Sequence, residues 1–244
     1  FMVLANENIA KFLKNNKLNS IFRNHEKPSA EKIKDLKKIL IDNNIYNKEK
    51  FNNQEDFNKI INKLNKKNFF LNDALLRSQA KAYYFEKNEG HFGLSLNYYT
   101  HFTSPIRRYS DLQVHRDLIN FLFNKKKNKL EASLSEHLTS QEKKSDFMER
   151  KIIEKACSLY IKQTKKKFFT GIVDGVESFG IFIKALELPF SCLARIKPRY
   201  QSYNKRLNFK SDFKIGQKVS FKIKRNDVKS GKILVEKVRE MVDK

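Results

Sequence analysis

The residues most able to do chemistry lie in one short segment, 101–116, with the sequence HFTSPIRRYSDLQVHR. Ser104 followed by Pro105 is typical of an N-cap and a first-turn proline, so the pattern predicts that a helix begins there. The first turn of a helix presents free backbone N–H groups and the positive end of the helix dipole. We therefore expect this turn to bind an anion such as a phosphate group.

The side chains around the turn also suit phosphate. Thr103 and Ser104 offer hydroxyl donors, and Arg107 and Arg108 follow with two guanidinium groups that can each form paired hydrogen bonds. Asp111 lies four residues after the first arginine and three after the second, within reach of either on a helix. An aspartate so placed can fix one arginine rotamer, as a clamp on a phosphoryl group requires. We predict a phosphate site, with a helix cap and a surface ion pair as the alternative.

The composition of the whole chain points the same way. Its 244 residues include 51 Lys and Arg against 27 Asp and Glu, a net charge of +24. This excess favours a polyanionic partner, either a nucleic acid or a membrane surface. No apolar run has the roughly 18 to 20 residues needed to span a bilayer. Two cysteines without CxxC spacing predict neither a disulfide framework nor a zinc site. We expect a soluble, intracellular protein.

The elements that must position the segment are mostly helical. Apolar residues at helical spacing predict one helix after an N-cap at Ser29, one around 57–64 and one from an N-cap at Asp73 to Tyr83. Further helices are expected from Pro105 to Phe123 and from Ser140 to Gln163, the last with an apolar face of Met148, Ile152, Ala156 and Leu159. Residues 91–102 are aromatic and predict a strand or an extended segment.

After residue 170 the chain has the turn residues of a small β structure, with five of its seven glycines. The pattern predicts five strands, at 168–173, 179–185, 191–196, 217–225 and 232–238. The fourth alternates apolar residues with lysines, which indicates a half-buried strand with a basic outer face. Five short strands in such a segment favour a barrel of the OB type.

Residues 90–116 resemble the signature region that ends the RNB catalytic domain of the ribonuclease II / ribonuclease R family. FMVLANE at 1–7, FRNHEKPS at 22–29 and LLRS at 75–78 resemble the same domain in the same order. FFTGIVDGVESFGIFIKA at 168–185 resembles the S1 RNA-binding domain that follows it, and GHFGL with this domain order is most similar to the bacterial ribonuclease R branch.

The resemblance implies an α+β fold in two domains. The C-terminal part of an RNB catalytic domain, mostly helical here, would occupy 1–164, and a five-stranded OB-fold S1 barrel would occupy 165–244. The chain starts with Phe1, and we expect it to be a C-terminal fragment of a longer protein.

The resemblance also implies an activity, the hydrolytic 3′→5′ degradation of RNA to nucleoside 5′-monophosphates with Mg²⁺ at the site. The family's metal ligands are aspartates far upstream of the matched region, so we expect no metal ligand in this chain. Arg107 matches the catalytic arginine, which would bind the scissile phosphate and stabilise charge in the transition state. Alone, the chain is expected to bind RNA but to cleave it poorly or not at all. We expect a cytoplasmic monomer that binds single-stranded 3′ ends and no membrane.

Further RNA-binding residues follow from the resemblance. Beside Thr103, Ser104, Arg108 and Tyr109 at the phosphate site, the barrel would contribute Phe169, Phe179, Phe182, Arg195 and Lys222. Strand alternation puts Phe179 and Phe182 on opposite faces, so at least one of these rings is expected to be exposed for stacking on a base. The basic loop at 197–210, interleaved with Tyr and Phe, is either another RNA surface or a solvated loop.

Supporting roles fall to Asp111 and His115, the latter expected to be packed and hydrogen-bonded to Asp111. His91 is expected to be structural, and the role of His101 stays open. Two other functions are also possible. One is a non-catalytic RNA-binding protein that uses the barrel. The other is a different metal-dependent phosphodiesterase, which has little support because no His/Asp ligand spacing is present.

Overall fold

The structure is a computed structural model that describes residues 1–45, 50–64, 71–124, 133–177, 179–195 and 213–241. The chain divides into two compact units, Phe1–Lys144 and Ser145–Lys244. The division falls inside one long helix, whereas the expected domain boundary at 164/165 lies at the end of that helix and stays a prediction. No helix in the described parts is long and apolar enough to cross a membrane.

The first unit is built mainly of helices around a two-stranded antiparallel ribbon. Its elements are α1 (Met2–Asn15), β1 (Phe22–Asn24), α2 (Ala30–Asp42), α3 (Gln54–Lys63), α4 (Leu71–Ser78), β2 (Tyr83–Phe85), α5 (Tyr109–Leu122) and the start of α6 (Leu134–Thr164). Ser29 caps α2 as predicted, since its Oγ accepts the Lys32 N–H at 3.4 Å. The buried stripe of α2 packs with α3 and α4 in one apolar cluster.

Two predictions for this unit are wrong. Asp73 lies inside α4 instead of capping it, and the helix ends at Ser78, well before Tyr83. Tyr83 belongs to β2, which pairs with β1, so a pairing with a distant strand overrides the local helical pattern. Residues 91–102 form no named strand; they contain a 3₁₀ turn at Phe92–Leu94 and isolated bridges at His91.

The second unit holds a closed five-stranded barrel, which confirms the predicted architecture. Its strands are β3 (Phe168–Glu177), β4 (Gly180–Ala185), β5 (Ser191–Arg195), β6 (Lys218–Asp227) and β7 (Lys232–Glu240), in the order β3-β4-β5-β7-β6. All neighbouring pairs are antiparallel except β5 with β7. Inward-facing side chains such as Phe169, Ile181 and Phe221 fill the interior.

α6 begins earlier than predicted, at Leu134, and its predicted apolar face is wrong. Met148, Ile152 and Leu159 are exposed. The buried apolar side chains of its later turns are Cys157 and Ile161, which join the barrel core. Spacing alone could not distinguish these faces, because apolar residues are present on both.

Candidate nucleic-acid interface

The turn at Ser104–Arg108 does not begin a helix, which corrects the prediction of an N-cap at Ser104. The Ser104 carbonyl accepts the N–H groups of Arg107 at 3.3 Å and Arg108 at 3.1 Å, and α5 begins only at Tyr109. Arg108 is the N-cap residue and has extended backbone angles. The arginines therefore lie before the first turn of α5, so the predicted anion site cannot use the free N–H groups of a helix that starts at Pro105.

A buried carboxylate explains this geometry. Asp111 is fully buried, and its Oδ1 accepts the Ser104 backbone N–H at 2.8 Å and the Arg108 Nη2–H at 2.9 Å. Its Oδ2 accepts the Ser110 hydroxyl at 3.1 Å. The chain from Ser104 to Ser110 thus folds around one charge that fixes both backbone and side chain. Of the two arginines in reach, the one that Asp111 holds is Arg108.

Arg107, in contrast, is exposed. Its side chain makes no hydrogen bond or ion pair within the part of the chain that the structure describes. The neighbouring Ile106 is fully exposed, so the tip of the turn projects from the unit. Thr103 and Ser104 are half-buried at the base of the turn. A free guanidinium on a fixed turn can bind a phosphate without first breaking an internal ion pair.

His115 supports the turn from behind, although not through Asp111 as predicted. Its ring stacks on Phe102 with centroids 4.1 Å apart and planes 5° from parallel, and its Nε2 lies 2.9 Å from the Phe102 carbonyl oxygen. The Phe102 N–H donates to Asn6 Oδ1 at 3.0 Å. These contacts hold the chain that leads into Ser104. His115 contacts the Phe102 carbonyl and not Asp111, because the Asp111 oxygens already accept three hydrogen bonds.

His101 is a packed, neutral residue beside this turn. Its Nδ1 lies 2.9 Å from the Tyr84 hydroxyl, and its ring contacts Tyr84 and Tyr99 edge to face. Burial, together with the nearby positive charges of Arg108 and Arg23, lowers the pKa of His101 to about 3. A neutral ring here adds no electrostatic repulsion to Arg108 and Arg23. The sequence left the role of His101 open, and its contacts in the structure are those of a packing residue.

His91 is also structural, in agreement with the expectation. It stacks on His25 with ring centroids 5.0 Å apart, and burial with the charge of His25 lowers its pKa to about 4. The stack anchors the segment that leads from β2 towards the turn.

Sequence reasoning missed an ion pair that supports this region. Both Glu142 oxygens accept hydrogen bonds from the Arg23 guanidinium, at 2.6 and 2.9 Å, and that guanidinium lies 4.6 Å from the Tyr84 ring centroid. The pair ties α6 to the β1–β2 ribbon. Arg23 lies in the 22–29 segment that resembles the RNB domain, and this resemblance was the feature of the sequence that could have pointed to it.

The described residues do not fit a metal ion. Across residues 1–45, 50–64, 71–124, 133–177, 179–195 and 213–241, no three His, Cys, Asp or Glu side chains are grouped as metal ligands. The carboxylate closest in sequence to the arginines is Asp111, whose oxygens already accept three hydrogen bonds.

The barrel presents a second set of predicted residues. Phe179 and Phe182 are 54% and 36% exposed, with ring centroids 6.0 Å apart at 88°. Arg195 pairs with Gly180 across β4 and β5, which places its position next to Phe179. Phe182 on β4, Arg195 on β5 and Phe179 just before β4 form a surface suited to stacking on bases and binding phosphate.

Phe169 corrects another prediction, because its side chain is only 2% exposed and cannot stack on a base. It packs in the barrel core against Phe221 and Phe190. Alternation along β3 turns the neighbouring Phe168 outward instead. The sequence offered two adjacent phenylalanines, and the strand phase decides which is core.

Lys222 lies on β6, opposite Phe168 on β3, and forms a 4.0 Å ion pair with Glu236. Because β6 adjoins β3 and β7 and not β4, Lys222 belongs to a different part of the barrel surface from Phe182. The predicted barrel residues therefore form two groups. The basic loop at 197–210 lies outside the described residues.

A groove of 520 Å³ adjoins Phe182 within the second unit. It is lined by four cationic side chains and two acidic ones: Lys151, Arg195, Arg225, Lys232, Glu154 and Asp227. Lys151 is paired with Glu154 at 2.5 Å. The remaining excess of positive charge beside an exposed ring suits a polyanion with flat bases.

Three comparisons relate the chain to known proteins. The model of the family described as the RNB domain matches residues 1–124. Ribonuclease R of Mycoplasmopsis pulmonis is 36% identical over 200 residues, which cover 75% of this chain and 27% of that protein. Ribonuclease R 1 of Lactococcus lactis is 30% identical over 266 residues, covering 100% of this chain and 32% of the relative.

A solved structure agrees with these sequences. Mycoplasma genitalium RNase R in complex with ribose methylated single-stranded RNA superimposes with a TM-score of 0.84 at 30% identity, over 96% of this chain and 40% of that one. The chain thus spans about a third of the length of the curated relatives that it matches.

Proposed function

The chain belongs to the RNB family, and on that premise we propose that it serves the hydrolytic 3′→5′ degradation of RNA to nucleoside 5′-monophosphates. The single observation that carries this proposal is Arg107, an exposed guanidinium on a turn that buried Asp111 holds in place. The substrate group would be a phosphodiester of single-stranded RNA.

In this proposal Arg107 binds the non-bridging oxygens of the scissile phosphate and stabilises the negative charge that develops on them. Asp111 and Arg108 are positioning residues, since they fix the turn and keep a second positive charge beside it. Removing one such charge-stabilising donor costs about 100- to 1,000-fold in turnover.

Members of this family generally require a metal ion, and we propose that the ion is Mg²⁺. It would assist attack by water on the phosphorus. Since the described residues include no fitting ligand set, no part of the role given to Arg107 depends on a metal contact within them. The expectation that this chain alone binds RNA without efficient cleavage follows from the same reasoning about the family.

The barrel would bind the RNA strand through Phe179, Phe182 and Arg195, with Lys222 contributing charge on the neighbouring surface. Stacking is tolerant of sequence because every base has a flat face, which suits an enzyme that removes nucleotides one by one. The relative solved with single-stranded RNA supports this choice of substrate. We propose further that the protein acts as a cytoplasmic monomer with no membrane partner.

The test uses the protein encoded by the whole reading frame, single-stranded RNA labelled at its 5′ end, and Mg²⁺. We expect stepwise shortening from the 3′ end with nucleoside 5′-monophosphates as products, while circular RNA of the same sequence stays intact. Binding of linear RNA without any shortening would overturn the proposal and support the non-catalytic alternative. Cleavage of the circle would identify an endonuclease instead.

A further inference from the structure

Tyr84 lies on β2, where that strand meets β1 and α6, and none of the sequence predictions gave it a role. The residue is only 7% exposed. Its backbone N–H donates to Thr139 Oγ1 at 3.0 Å, and it pairs with Arg23 across the β1–β2 ribbon. The Arg23 guanidinium lies 4.6 Å from the Tyr84 ring centroid. Because both backbone and ring are held, the hydroxyl of Tyr84 has a fixed position.

This hydroxyl contacts both ends of the segment that carries Arg107. Before the turn, it lies 2.9 Å from Nδ1 of His101. After the turn, it meets Ser110: burial raises the pKa of the Tyr84 hydroxyl, and a hydrogen bond with the Ser110 side chain opposes that shift. One buried group therefore connects the residues that flank the turn on either side.

The hydrogen bonds at this hydroxyl have one consistent direction. The Ser110 hydroxyl donates to Asp111 Oδ2 at 3.1 Å, and a carboxylate can only accept. Since the Ser110 proton is used there, the Ser110 oxygen accepts the proton of Tyr84. Tyr84 then accepts in turn from Nδ1–H of His101. A chain in which every donor points towards one buried carboxylate is strengthened cooperatively.

Tyr84 does not act on the substrate itself, because burial keeps its hydroxyl from RNA. Its influence on the reaction has to pass through the turn. The tip of that turn projects, with Ile106 fully exposed and Arg107 exposed beside it, so the contacts at the base of the turn determine where Arg107 lies. A displacement of about 1 Å in a catalytic group can cost about 100-fold in rate.

We propose that Tyr84 is a positioning residue for Arg107. Its hydroxyl links His101, before the turn, to Ser110 and through it to Asp111, and this link holds the turn in the position from which Arg107 acts on the phosphate. The inference rests on the proposed function, because it takes the action of Arg107 on RNA as given.

The first test is single-turnover hydrolysis of single-stranded RNA by the protein of the whole reading frame with Mg²⁺. Tyr84→Phe keeps the ring and its contact with Arg23 but removes the hydroxyl. We expect hydrolysis to slow about tenfold, while RNA affinity by gel shift changes less than about twofold. Ser110→Ala breaks the same link at its next member and should give the same division between rate and affinity.

Tyr83→Phe is the matched control. It removes a hydroxyl from the adjacent residue of β2, whose side chain points to the opposite face of the strand. That hydroxyl hydrogen-bonds to Glu26 and Glu89 instead of the turn. Tyr83→Phe should therefore hydrolyse RNA at the wild-type rate.

A double-mutant cycle distinguishes positioning of Arg107 from a general effect on the fold. In an Arg107→Ala background, Tyr84→Phe should slow hydrolysis by less than about twofold more, because the group that it positions is already absent. A merely structural hydroxyl would instead cost the same factor in both backgrounds.

Slower hydrolysis in Tyr84→Phe and Ser110→Ala, lost in the Arg107→Ala background, supports the proposal. Wild-type rates in both variants, or the same factor in both backgrounds, overturn the role of Tyr84 and leave the proposed function intact. If Tyr84→Phe does not fold by circular dichroism, Ser110→Ala and its cycle with Arg107→Ala decide the matter. Absence of any RNA shortening by the wild type would overturn the proposed function itself, so the two failures are distinguishable.

Discussion

At the scale of single residues, the two adjacent arginines do opposite things. Arg108 is bound internally by a buried carboxylate, while Arg107 is exposed on the projecting turn. The sequence indicated the pair and the aspartate but could not say which arginine is held. That depends on Asp111 being buried where it also takes the Ser104 N–H, which is a tertiary property of the turn.

Replacing Asp111 by Asn should destabilise the first unit by about 3 kcal/mol, because Arg108 would lose its partner in a largely buried site. Urea denaturation of the protein measures this change. Asp35→Asn, on the exposed surface of α2, is the control and should change the free energy of unfolding by less than about 0.5 kcal/mol. Equal stability of both variants would show that the buried contacts of Asp111 do not organise the turn.

His101 predicts how stability depends on pH. Its pKa in the folded protein is about 3, against 6.5 for an ordinary histidine, so the unfolded chain binds more protons between these values. Its stabilising contribution is therefore complete above about pH 6.5 and declines as the pH falls towards 3. Between pH 7.5 and 5 the loss should be about 2 kcal/mol.

This pH effect is checked by urea denaturation at both pH values. His101→Gln should unfold with a smaller difference between pH 7.5 and 5 than the wild type, because the titrating group is gone. His137→Gln, at an exposed position on α6, should keep the wild-type difference. An unchanged difference in His101→Gln would contradict the packed, neutral state of this ring.

At the scale of elements, the barrel strands lie close to where the sequence predicted them. Alternation is a local pattern, and every second side chain of a barrel strand points into the apolar interior. The starts and faces of helices follow it less well. α5 begins five residues after Ser104 because the intervening turn wraps around Asp111, and α6 exposes its most regular apolar stripe. The first difference arises from the hydrogen bonds that Asp111 accepts within the turn. The second arises because α6 packs Cys157 and Ile161 into the barrel core.

Strand phase makes a direct prediction for the barrel. Phe182→Ala should weaken RNA binding by about 1 to 3 kcal/mol and leave stability nearly unchanged, since its ring is partly exposed. Phe169→Ala should instead lower the free energy of unfolding by about 3 to 5 kcal/mol, since it empties a core position. Gel shifts and urea denaturation of both variants measure the two effects. A reversal of this pattern would mean that the strand phase is misassigned.

The close approach of β4 and β5 leads to another prediction for the barrel. A Cβ at Gly180 would collide with the Ala194 carbonyl oxygen, so Gly180→Ala should force the strands apart and lower the free energy of unfolding by about 2 kcal/mol. RNA affinity should fall as well, because Phe179 and Arg195 adjoin this position.

Gly175→Ala is the matched control for this change. A Cβ there would lie 3.6 Å from the Phe182 ring, an ordinary contact, so its thermal midpoint should stay within a few degrees of the wild type. Equal thermal midpoints of the two variants would show that the close packing of β4 on β5 does not restrict the size of the residue at position 180.

At the scale of the whole molecule, net charge identifies the class of partner but not the site. The chain carries +24, yet Arg23 and Arg108 are engaged by Glu142 and Asp111 within the first unit. Function depends on the cations left over at particular places, of which Arg107 is the clearest. The fold of each unit and the region of the site could be predicted from sequence, and the resemblance singled out Arg107. That Arg108 is the arginine held by Asp111 follows only from the ion pairs of the folded chain.

The central claim is that Arg107 acts on the scissile phosphate, and single-turnover hydrolysis tests it most directly. With the protein of the whole reading frame, Mg²⁺ and single-stranded RNA, Arg107→Ala should slow hydrolysis about 100- to 1,000-fold while RNA affinity by gel shift changes only a few-fold. Lys34→Ala, which removes a positive charge from the exposed face of α2, should hydrolyse RNA at the wild-type rate. Equal losses of affinity and turnover in Arg107→Ala would contradict the account, since Arg107 would then be only a docking contact.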